Sequence, residues 1–262
     1  MLGVKLPSAL QNDSELLFAA VQEAGALGLA LSKQDVRNWS KPDGSTVTEA
    51  DLQIDRFLKA RLHEARPDYG WLSEETTDTP ERLSKQRLWI VDPIDGTNSF
   101  VNGSDGWCIG VALTENGRPI LAALYQPVAD QFYCAAVGFG AHCNHRVMTP
   151  NDDADLKGAR MLGTGRALKA LPDVSASYAP NIPLLLRLAH VACGKADIAL
   201  SLGLRNDWDL AAGDLLVSEA GGVITQANGK PMLYDQPLPK QNGLLAAGAK
   251  RHQAVLAKLE AI

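Results

Sequence analysis

The sequence predicts a layered fold of the α/β (α+β) class, and three patterns carry this prediction. Two amphipathic helical segments precede the first strands, a run of short strands follows as consecutive hairpins, and the second half mixes helices and strands without regular βαβ alternation. The chain has 262 residues, of which 46% are hydrophobic and 21% charged. This composition allows a sizeable core, and we expect one compact unit of two halves, residues 1–150 and residues 151–262.

Helical periodicity occurs twice in the first quarter of the chain. From Asp13 to Ser32, apolar residues recur every three or four positions, with Asp13 or Ser14 as the N-cap. The turn-rich segment KPDGSTVTEAD leads into a second helix from about Ala50 to Ala65. Asp51 therefore lies in the first turn of that helix.

Two predicted strands end in acidic residues. A short strand around Tyr69 to Leu72 leads through a serine into Glu74 and Glu75. The apolar run from Leu88 to Val91 is typical of a buried strand, which we expect to end at Asp92.

An antiparallel meander follows. Its strands are separated by the turn signals ENGRP and QPVAD, and they span Val111 to Leu113, Ile120 to Tyr125 and Gln131 to Ala136. Further on, the string HCNHR places two histidines and a cysteine close together. A structural zinc site needs four ligands and no partner pair is in view, so we expect a hairpin turn there.

The second half begins with the strand-like segment ARMLGTG. A helix from about Pro183 to Cys193, stopped by Gly194, and a strand from Ala196 to Ser201 come next. The segment NDWDLAAGDLLVSEAGG then predicts a helix that ends at its two glycines and holds Asp209 in its first turn.

Bulk properties limit the possible partners. A formal net charge of -5 and a pI near 5.5 argue against binding a nucleic-acid polymer, but they allow a small phosphorylated metabolite held through metals. Acidic residues interrupt the N-terminal apolar stretch, so we expect neither a signal peptide nor a membrane partner. Four dispersed cysteines without a CxxC pair are typical of reduced thiols, which favours a cytoplasmic location.

The sharpest local feature is WIVDPIDGT. A hydrophobic strand delivers Asp92, Pro93 bars a helix, and Asp95 follows on the same bend. Two such carboxylates repel by about 1 kcal/mol in water and about 4 kcal/mol at the effective dielectric of a protein surface, so a divalent cation or a basic partner should lie between them. The nearby cation in sequence is Arg87, on the far side of the strand. Oxygen ligands without histidine or cysteine favour Mg²⁺, Mn²⁺ or Ca²⁺ over zinc.

Each of these elements also has a simpler interpretation. DPIDG alone can be a turn, and a lone Asp209 at a helix start is more often an N-cap than a ligand. Gly96 and Thr97, however, can aim backbone N–H groups and a hydroxyl at a phosphate. Together with Glu74 and Glu75, these residues supply the oxygen-rich clamp that metal-assisted phosphoryl transfer needs.

Four motifs in order make the chain resemble the inositol monophosphatase family: GSTVTEAD, SEE, WIVDPIDGTNSF and WDLAAGDLLVSEAGG. The resemblance covers roughly the stretch from Asp43 to Gly222. Members are lithium-sensitive, magnesium-dependent phosphatases of small phosphate monoesters. The resemblance implies a layered αβαβα sandwich, often a homodimer, with about two or three Mg²⁺ ions per site.

The resemblance also implies a ligand set. Glu74, Asp92 and the backbone carbonyl of Ile94 would hold a first Mg²⁺. Asp92, Asp95 and Asp209 would hold a second, and a third, weaker ion would depend on Glu74 and water.

Catalysis and substrate binding fall to the same motifs. Thr97, paired with Asp51, would help Glu74 orient and deprotonate the attacking water. The N–H groups of Gly96 and Thr97 would bind the phosphate. The full substrate-binding set implied by the resemblance is Asp95, Gly96, Thr97, Asn98 and Asp209.

Departures from the family pattern bear on the substrate. Ser201 and Leu202 stand where inositol-cleaving members have an acidic residue that binds sugar hydroxyls, and APNIPLLLRLAHVACGKAD replaces a motif of small residues on the phosphate side. These departures weaken the inositol assignment, whereas KPDGSTVTEAD and GLRNDWDLAAGDLL are more similar to the bacterial bisphosphate nucleotidase branch. The lead substrates implied by this resemblance are 3'(2'),5'-bisphosphate nucleotides, with inositol 1-phosphate and histidinol phosphate as alternatives. A non-catalytic role in binding the transcription or ribosome machinery is the alternative of another class.

Overall fold

The computed structural model describes residues 6–42, 44–163, 165–172, 174–178 and 182–260. Asp43 of the KPDGST turn, Thr164 of ARMLGTG and the segment 179–181 of APNIP, all used in the sequence argument, lie outside the described residues.

Helices and strands are mixed along the described chain, with six consecutive strands between α3 and α4. The helices are α1 (Ser8–Leu31), α2 (Glu49–His63), α3 (Thr97–Val101), α4 (Gly165–Ala170), α5 (Leu184–Ala192), α6 (Ala211–Glu219) and α7 (Ala249–Glu260). The first nine strands are β1 (Asn38–Ser40), β2 (Thr46–Thr48), β3 (Gly70–Ser73), β4 (Arg87–Asp95), β5 (Cys108–Glu115), β6 (Arg118–Gln126), β7 (Gln131–Ala136), β8 (Ala141–Cys143) and β9 (Arg146–Val147). The remaining strands are β10 (Arg160–Gly163), β11 (Ser175–Tyr178), β12 (Ile198–Asn206), β13 (Gly222–Thr225) and β14 (Lys240–Gly248).

The first sheet has seven strands in the order β3-β4-β5-β6-β7-β8-β9. β3 runs parallel to β4, and every later strand is antiparallel to its neighbour. The predicted meander is thus confirmed. The HCNHR string forms the tight turn between β8 and β9, where Asn144 and His145 have φ angles of 44° and 69°, so the predicted hairpin turn is confirmed as well.

The second sheet has five strands in the order β11-β10-β12-β14-β13. β10 is parallel to β11 and β12, whereas β14 is antiparallel to β12 and β13. Strands β1 and β2 form a small hairpin of their own that leads into α2.

Successive side chains along a strand pack into different core layers. In β4, Leu88 and Ile90 belong to the core between the two sheets, while Trp89 and Val91 belong to the core under α1 and α2. Helices α5 and α6 fill the space between the sheets, and α4 and α7 cover the outer face of the second sheet. The layers run helix, sheet, helix, sheet, helix, which confirms the αβαβα sandwich.

Helix α1 is the longest helix of the described chain. By length and composition, its stretch from Leu10 to Leu31 is the one described segment that is long and apolar enough to cross a membrane. Half of that stretch is buried, and Leu17, Val21 and Ala24 have no exposed surface because they pack into the core under the first sheet.

A close contact between α5 and α6 sets the thickness of the central layer. A Cβ atom on Gly213 of α6 would lie 2.4 Å from Cδ1 and 2.7 Å from Cβ of Leu188 on α5. The Cβ of Leu188 cannot move away by a rotamer change, so any larger residue must push the two helices apart.

We predict that Gly213→Ala destabilises the protein, because overpacking costs about 1–3 kcal/mol of unfolding free energy. The better helix propensity of alanine offsets at most about 1 kcal/mol of this loss. Urea denaturation measures the difference. The matched control is Gly203→Ala, because a Cβ at Gly203 meets nothing within 4 Å and should change stability by less than about 0.5 kcal/mol. Equal losses in both variants would contradict the packing argument.

Candidate metal centre

Strand β4 carries the two acidic residues of DPIDG in an irregular stretch. The prediction that the strand ends at Asp92 is wrong, since pairing resumes at Asp95. Asp92 lies opposite Gly110 and Asp95 opposite Cys108, so three steps along β4 match two along β5, which is a β-bulge. Pro93 is tolerated there because a bulge needs no ladder donor.

The bulge has a direct effect on the site. In a regular strand, residues three positions apart point to opposite faces of the sheet. The extra residue reverses this relation, and both Asp92 and Asp95 line one cavity of about 310 Å³. Besides Asp92 and Asp95, the candidate site residues that line this cavity are Glu74, Ile94, Gly96, Thr97, Asn98 and Asp209.

Three carboxylates meet closely in this cavity. Glu74, Asp92 and Asp209 each offer an oxygen, and these oxygens all lie within 4.8 Å of one another. Asp92 is only 1% exposed, and its Oδ1 has no hydrogen-bond partner among the described residues. Buried acceptors are normally satisfied, so this group of oxygens has the composition and the unmet bonding capacity of a site for a hard divalent cation.

Burial and mutual repulsion keep the carboxylates from ionising freely. Burial, followed by the charges of Glu74 and Asp95, raises the pKa of Asp92 well above its ordinary value. Burial and the charge of Glu74 raise the pKa of Asp209 to about 7. Without a cation, the cavity holds protons at neutral pH.

Asp95 lies in the same cavity and also accepts a hydrogen bond from the start of a helix. Its Oδ2 accepts a hydrogen bond of 2.7 Å from the backbone N–H of Leu185, in the first turn of α5. The carboxylate thereby satisfies one of the unpaired donors at a helix start. Burial and the charge of Asp209 still raise the pKa of Asp95 to about 8.

Asp209 lies two residues before α6, because that helix begins at Ala211. The prediction that it lies in the first helical turn is therefore wrong. The N–H of Ala211 donates to the backbone carbonyl of Asp207, and no side chain caps the helix. The Asp209 carboxylate instead accepts from the N–H of Asn206 at 3.0 Å, so the N-cap alternative does not account for it.

The structure brings Thr97 and Asp51 together. Asp51 forms a capping box with Thr48 at the start of α2, in which its Oδ2 accepts the N–H of Thr48 at 2.8 Å. Its Oδ1 is then left to accept the Thr97 hydroxyl at 3.0 Å. The Thr97 hydroxyl also lies 3.1 Å from the carbonyl oxygen of Ile94, which ties α2, β4 and α3 to one point beside the carboxylates.

Gly96 is required by its surroundings. Its φ angle is 99°, which side chains rarely adopt. An added Cβ would also lie 2.6 Å from the carbonyl oxygen of Gly106 and 3.1 Å from Pro183. Only glycine lets the chain turn sharply from β4 into α3 and place Thr97 and Asn98 on the cavity wall.

Lys41 is a basic residue that the sequence argument missed. Its ammonium donates to Glu74 at 2.8 Å and to Glu75 at 2.7 Å. Burial alone would lower the pKa of Lys41, but the charges and hydrogen bonds of the two glutamates raise it overall. No local motif signals this contact, because Lys41 precedes Glu74 by 33 positions.

Arg87, the nearby cation in the sequence, lies away from this cavity. It pairs with Asp13 and Glu115 at the other end of β4, as its place on the far side of the strand suggested. Among the described residues, no lysine or arginine lies within ion-pair distance of the three remaining carboxylates of the cavity, those of Asp92, Asp95 and Asp209. The basic partner thus meets only the glutamates.

The sequence of this chain matches one known protein family along most of its length. The model of the inositol monophosphatase family matches residues 10–262. An inositol-1-monophosphatase of Mesorhizobium japonicum is 34% identical over 262 residues, which cover 94% of this chain and 96% of the relative. A 3'(2'),5'-bisphosphate nucleotidase CysQ of Aggregatibacter actinomycetemcomitans is 30% identical over 227 residues, which cover 82% of this chain and 84% of the relative.

A solved structure gives the same result for the fold. The extragenic suppressor protein suhB of Bartonella henselae superimposes with a TM-score of 0.84 at 25% identity, covering 97% of this chain and 99% of that protein.

We predict a pH-dependent stability for the metal-free protein. Because the folded-state pKa values of Asp95 and Asp209 are raised to about 8 and about 7, the folded chain holds protons that the unfolded chain has lost. Stability must then fall as pH rises from about 4 to about 8. Mg²⁺ should remove this contribution, so the increase in Tm on adding Mg²⁺ to chelator-treated protein should be larger at about pH 8 than at about pH 6.

The comparison of Tm with and without Mg²⁺ at each pH serves as the control. A buried acid such as Asp214, whose pKa is raised by burial and not by the carboxylates of the cavity, should titrate equally with and without Mg²⁺ and cancel from the difference. The same Mg²⁺ effect at both pH values would contradict the proposed repulsion.

Proposed function

This chain belongs to the inositol monophosphatase family of phosphatases, and from that membership we propose that it hydrolyses small phosphate monoesters with Mg²⁺ as its cofactor. The observation that carries the proposal is the meeting of Glu74, Asp92 and Asp209, with oxygens within 4.8 Å, in an open cavity large enough for a phosphate ester.

The donor set fits magnesium. All donors are oxygens, as Mg²⁺ prefers, and the unpartnered Oδ1 of Asp92 lacks the contact that a cation would supply. We infer that Glu74, Asp92 and Asp209 hold Mg²⁺ together, with Asp95 and the carbonyl of Ile94 as further ligands. When bound, Mg²⁺ lowers the pKa of a nucleophilic water and neutralises the charge on phosphate.

The chain's own residues orient and deprotonate the attacking water. Glu74 is the acceptor for the proton of that water, and a hydrogen bond from Lys41 holds the Glu74 side chain in place. Asp51 accepts the Thr97 hydroxyl proton, which orients the Thr97 oxygen lone pairs toward the cavity as an acceptor for the water. The N–H groups of Gly96 and Thr97, at the sharp turn after β4, bind the phosphate oxygens and place phosphorus for in-line attack.

The lead substrates are 3'(2'),5'-bisphosphate nucleotides. Support comes from Ser201, which stands where inositol-cleaving members have an acidic residue that binds sugar hydroxyls. The Ser201 hydroxyl accepts a hydrogen bond of 2.8 Å from Arg205. A serine hydroxyl that already accepts one bond from a guanidinium has a single lone pair left, so it accepts fewer bonds from a polyol than a carboxylate does. Inositol 1-phosphate and histidinol phosphate are the alternatives to be tested.

Several further properties follow from the family and remain proposals. We infer that the enzyme is a homodimer, is inhibited by lithium and acts in the cytoplasm on a small metabolite rather than on a nucleic-acid polymer or at a membrane.

The direct test is release of phosphate with Mg²⁺ from adenosine 3',5'-bisphosphate, inositol 1-phosphate and histidinol phosphate. We expect turnover that chelation abolishes and that Mg²⁺ restores, with the bisphosphate as the best substrate by kcat/KM. Folded, Mg²⁺-supplied protein that hydrolyses none of the three would contradict the proposal.

We predict that Asp92→Asn separates activity from stability. The change removes a ligand charge, so kcat/KM should fall by at least ~10³-fold. Asp92 also stays protonated in the folded, metal-free protein but ionises on unfolding, which costs stability at neutral pH, so the metal-free variant should gain stability on the order of 1–3 kcal/mol. Phosphate release and urea denaturation in chelator measure the two effects.

The control for this variant is Asp197→Asn, another buried acid. Burial alone would raise the pKa of Asp197, but hydrogen bonds from Arg160 and Asn151 lower it to about 2. Its loss should lower stability and leave phosphate release intact. If Asp92→Asn also lost stability and kept its activity, the ligand assignment would be wrong.

A further inference from the structure

We propose that a second cavity of this protein binds the phosphate group of a small molecule. This cavity is bordered by α2, β3 and the segment 76–85, and its volume of about 360 Å³ is close to that of the carboxylate cavity. No described residue lines both cavities. The second cavity is therefore a site of its own, and the inference goes beyond the hydrolysis proposed above.

Two lysines in this cavity have no acidic partner. Lys59 on α2 and Lys85 before β4 both line the cavity, and both are half-buried. Within the described chain, neither ammonium group has a carboxylate at ion-pair distance. A half-buried ammonium has lost part of its hydration, and a charge-assisted hydrogen bond to an anionic ligand group would replace it.

The other charged residues of the cavity do not cancel these two charges. Arg82 is also a lining residue, but its guanidinium is already neutralised by Asp78 and Asp235, at 2.6 Å from each. Glu81 is the one acidic side chain among the described lining residues, and it is exposed. The chain as a whole has a net charge of -5, so this cavity is a local excess of positive charge that favours an anion.

A tryptophan forms one wall of the cavity. Trp71 on β3 is half-buried, and the Lys59 ammonium lies 6.0 Å from the centroid of its ring. The indole Nε1 donates to Oγ1 of Thr76 at 3.3 Å, and this hydroxyl donates to Oδ2 of Asp55 at 2.8 Å. The ring is thus held beside a positive charge and offers a flat apolar surface to a group that carries the phosphate.

Neutral polar groups complete the cavity. Nδ1 of His63 is buried and has no hydrogen-bond partner among the described residues. Thr77 and Thr79 are exposed lining residues, and their hydroxyls bind no other described group. The oxygens of a phosphate accept several hydrogen bonds, and the two ammonium groups and two hydroxyls supply the donors, with the imidazole beside them. A volume at the lower end of the range for ligand pockets limits the ligand to a small molecule.

Binding to the full-length protein in chelator tests the inference, because Mg²⁺-dependent hydrolysis then does not consume the ligand. The probes are inorganic phosphate and phenyl phosphate, each titrated by calorimetry. We expect the wild type to bind at least one of them at millimolar concentration or below. If phenyl phosphate binds about threefold more tightly or better, the ligand carries a ring beside Trp71; otherwise the ligand is inorganic phosphate itself.

The double variant Lys59→Met/Lys85→Met keeps two long side chains and removes both charges. It should weaken phosphate binding by about tenfold to a hundredfold, the range for a charge-assisted hydrogen bond. Its circular dichroism and its Mg²⁺-dependent phosphate release should match the wild type, because neither lysine lines the carboxylate cavity. The matched control is Lys169→Met, which removes an exposed lysine from α4 on the outer face of the second sheet and should leave binding unchanged.

Three results would overturn the inference. The first is a wild type that binds neither probe at millimolar concentration. The second is equal affinity in the double variant and the wild type, which would place the phosphate in the carboxylate cavity. The third is an equal loss in Lys169→Met, which would reduce binding to the net charge of the chain. Because binding is measured without turnover, each of these results leaves the phosphatase proposal standing, and a failure to hydrolyse phosphate esters leaves this inference standing.

Discussion

Repulsion among carboxylates in one cavity is the constraint on which this structure depends. Glu74 directly follows β3, Asp92 lies in the neighbouring strand β4, and Asp209 comes from the connection between β12 and α6. The three oxygens meet only when both halves are packed on the central layer of α5 and α6. Burial of apolar surface in the three core layers must therefore outweigh an unfavourable electrostatic term.

The basic side chains near the cavity do not neutralise its aspartates. Lys41 binds the two glutamates at the end of β3, while the aspartates meet no described lysine or arginine at ion-pair distance. Arg187 lines the cavity from α5, and Arg205 lies on β12. Their charges act to lower the pKa values of Asp95 and Asp209, but burial and repulsion among the carboxylates still raise both values.

Much of this arrangement could be predicted from the sequence. Helix α2 and the meander follow from local patterns, because capping residues and turn signals act within a few positions. The pairing of Asp51 with Thr97 joins residues 46 positions apart and was predicted only through the family resemblance of their motifs. The position of Asp209 relative to α6 could not be predicted in the same way, since the backbone carbonyl of Asp207, rather than a side chain, starts that helix. Lys41 was missed because its partners lie over 30 positions away and its loop has no periodic pattern.

The end of β4 shows why a correct motif gave a wrong strand boundary. Proline and two acidic residues favour a turn, which predicts that the strand ends there. In the structure, however, the register with β5 resumes after one unmatched residue. The side chains of Asp92 and Asp95 reach a common cavity only because the strand continues in this irregular way.

That single unmatched residue has a consequence for protein engineering. A designer who grafts the DPIDG sequence onto a regular strand would obtain the right amino acids with one carboxylate on each side of the sheet. A transferable version must include the neighbouring β5 segment from Cys108 to Gly110, whose spacing enforces the offset, and the segment should tolerate a change of side chain far better than a change of length.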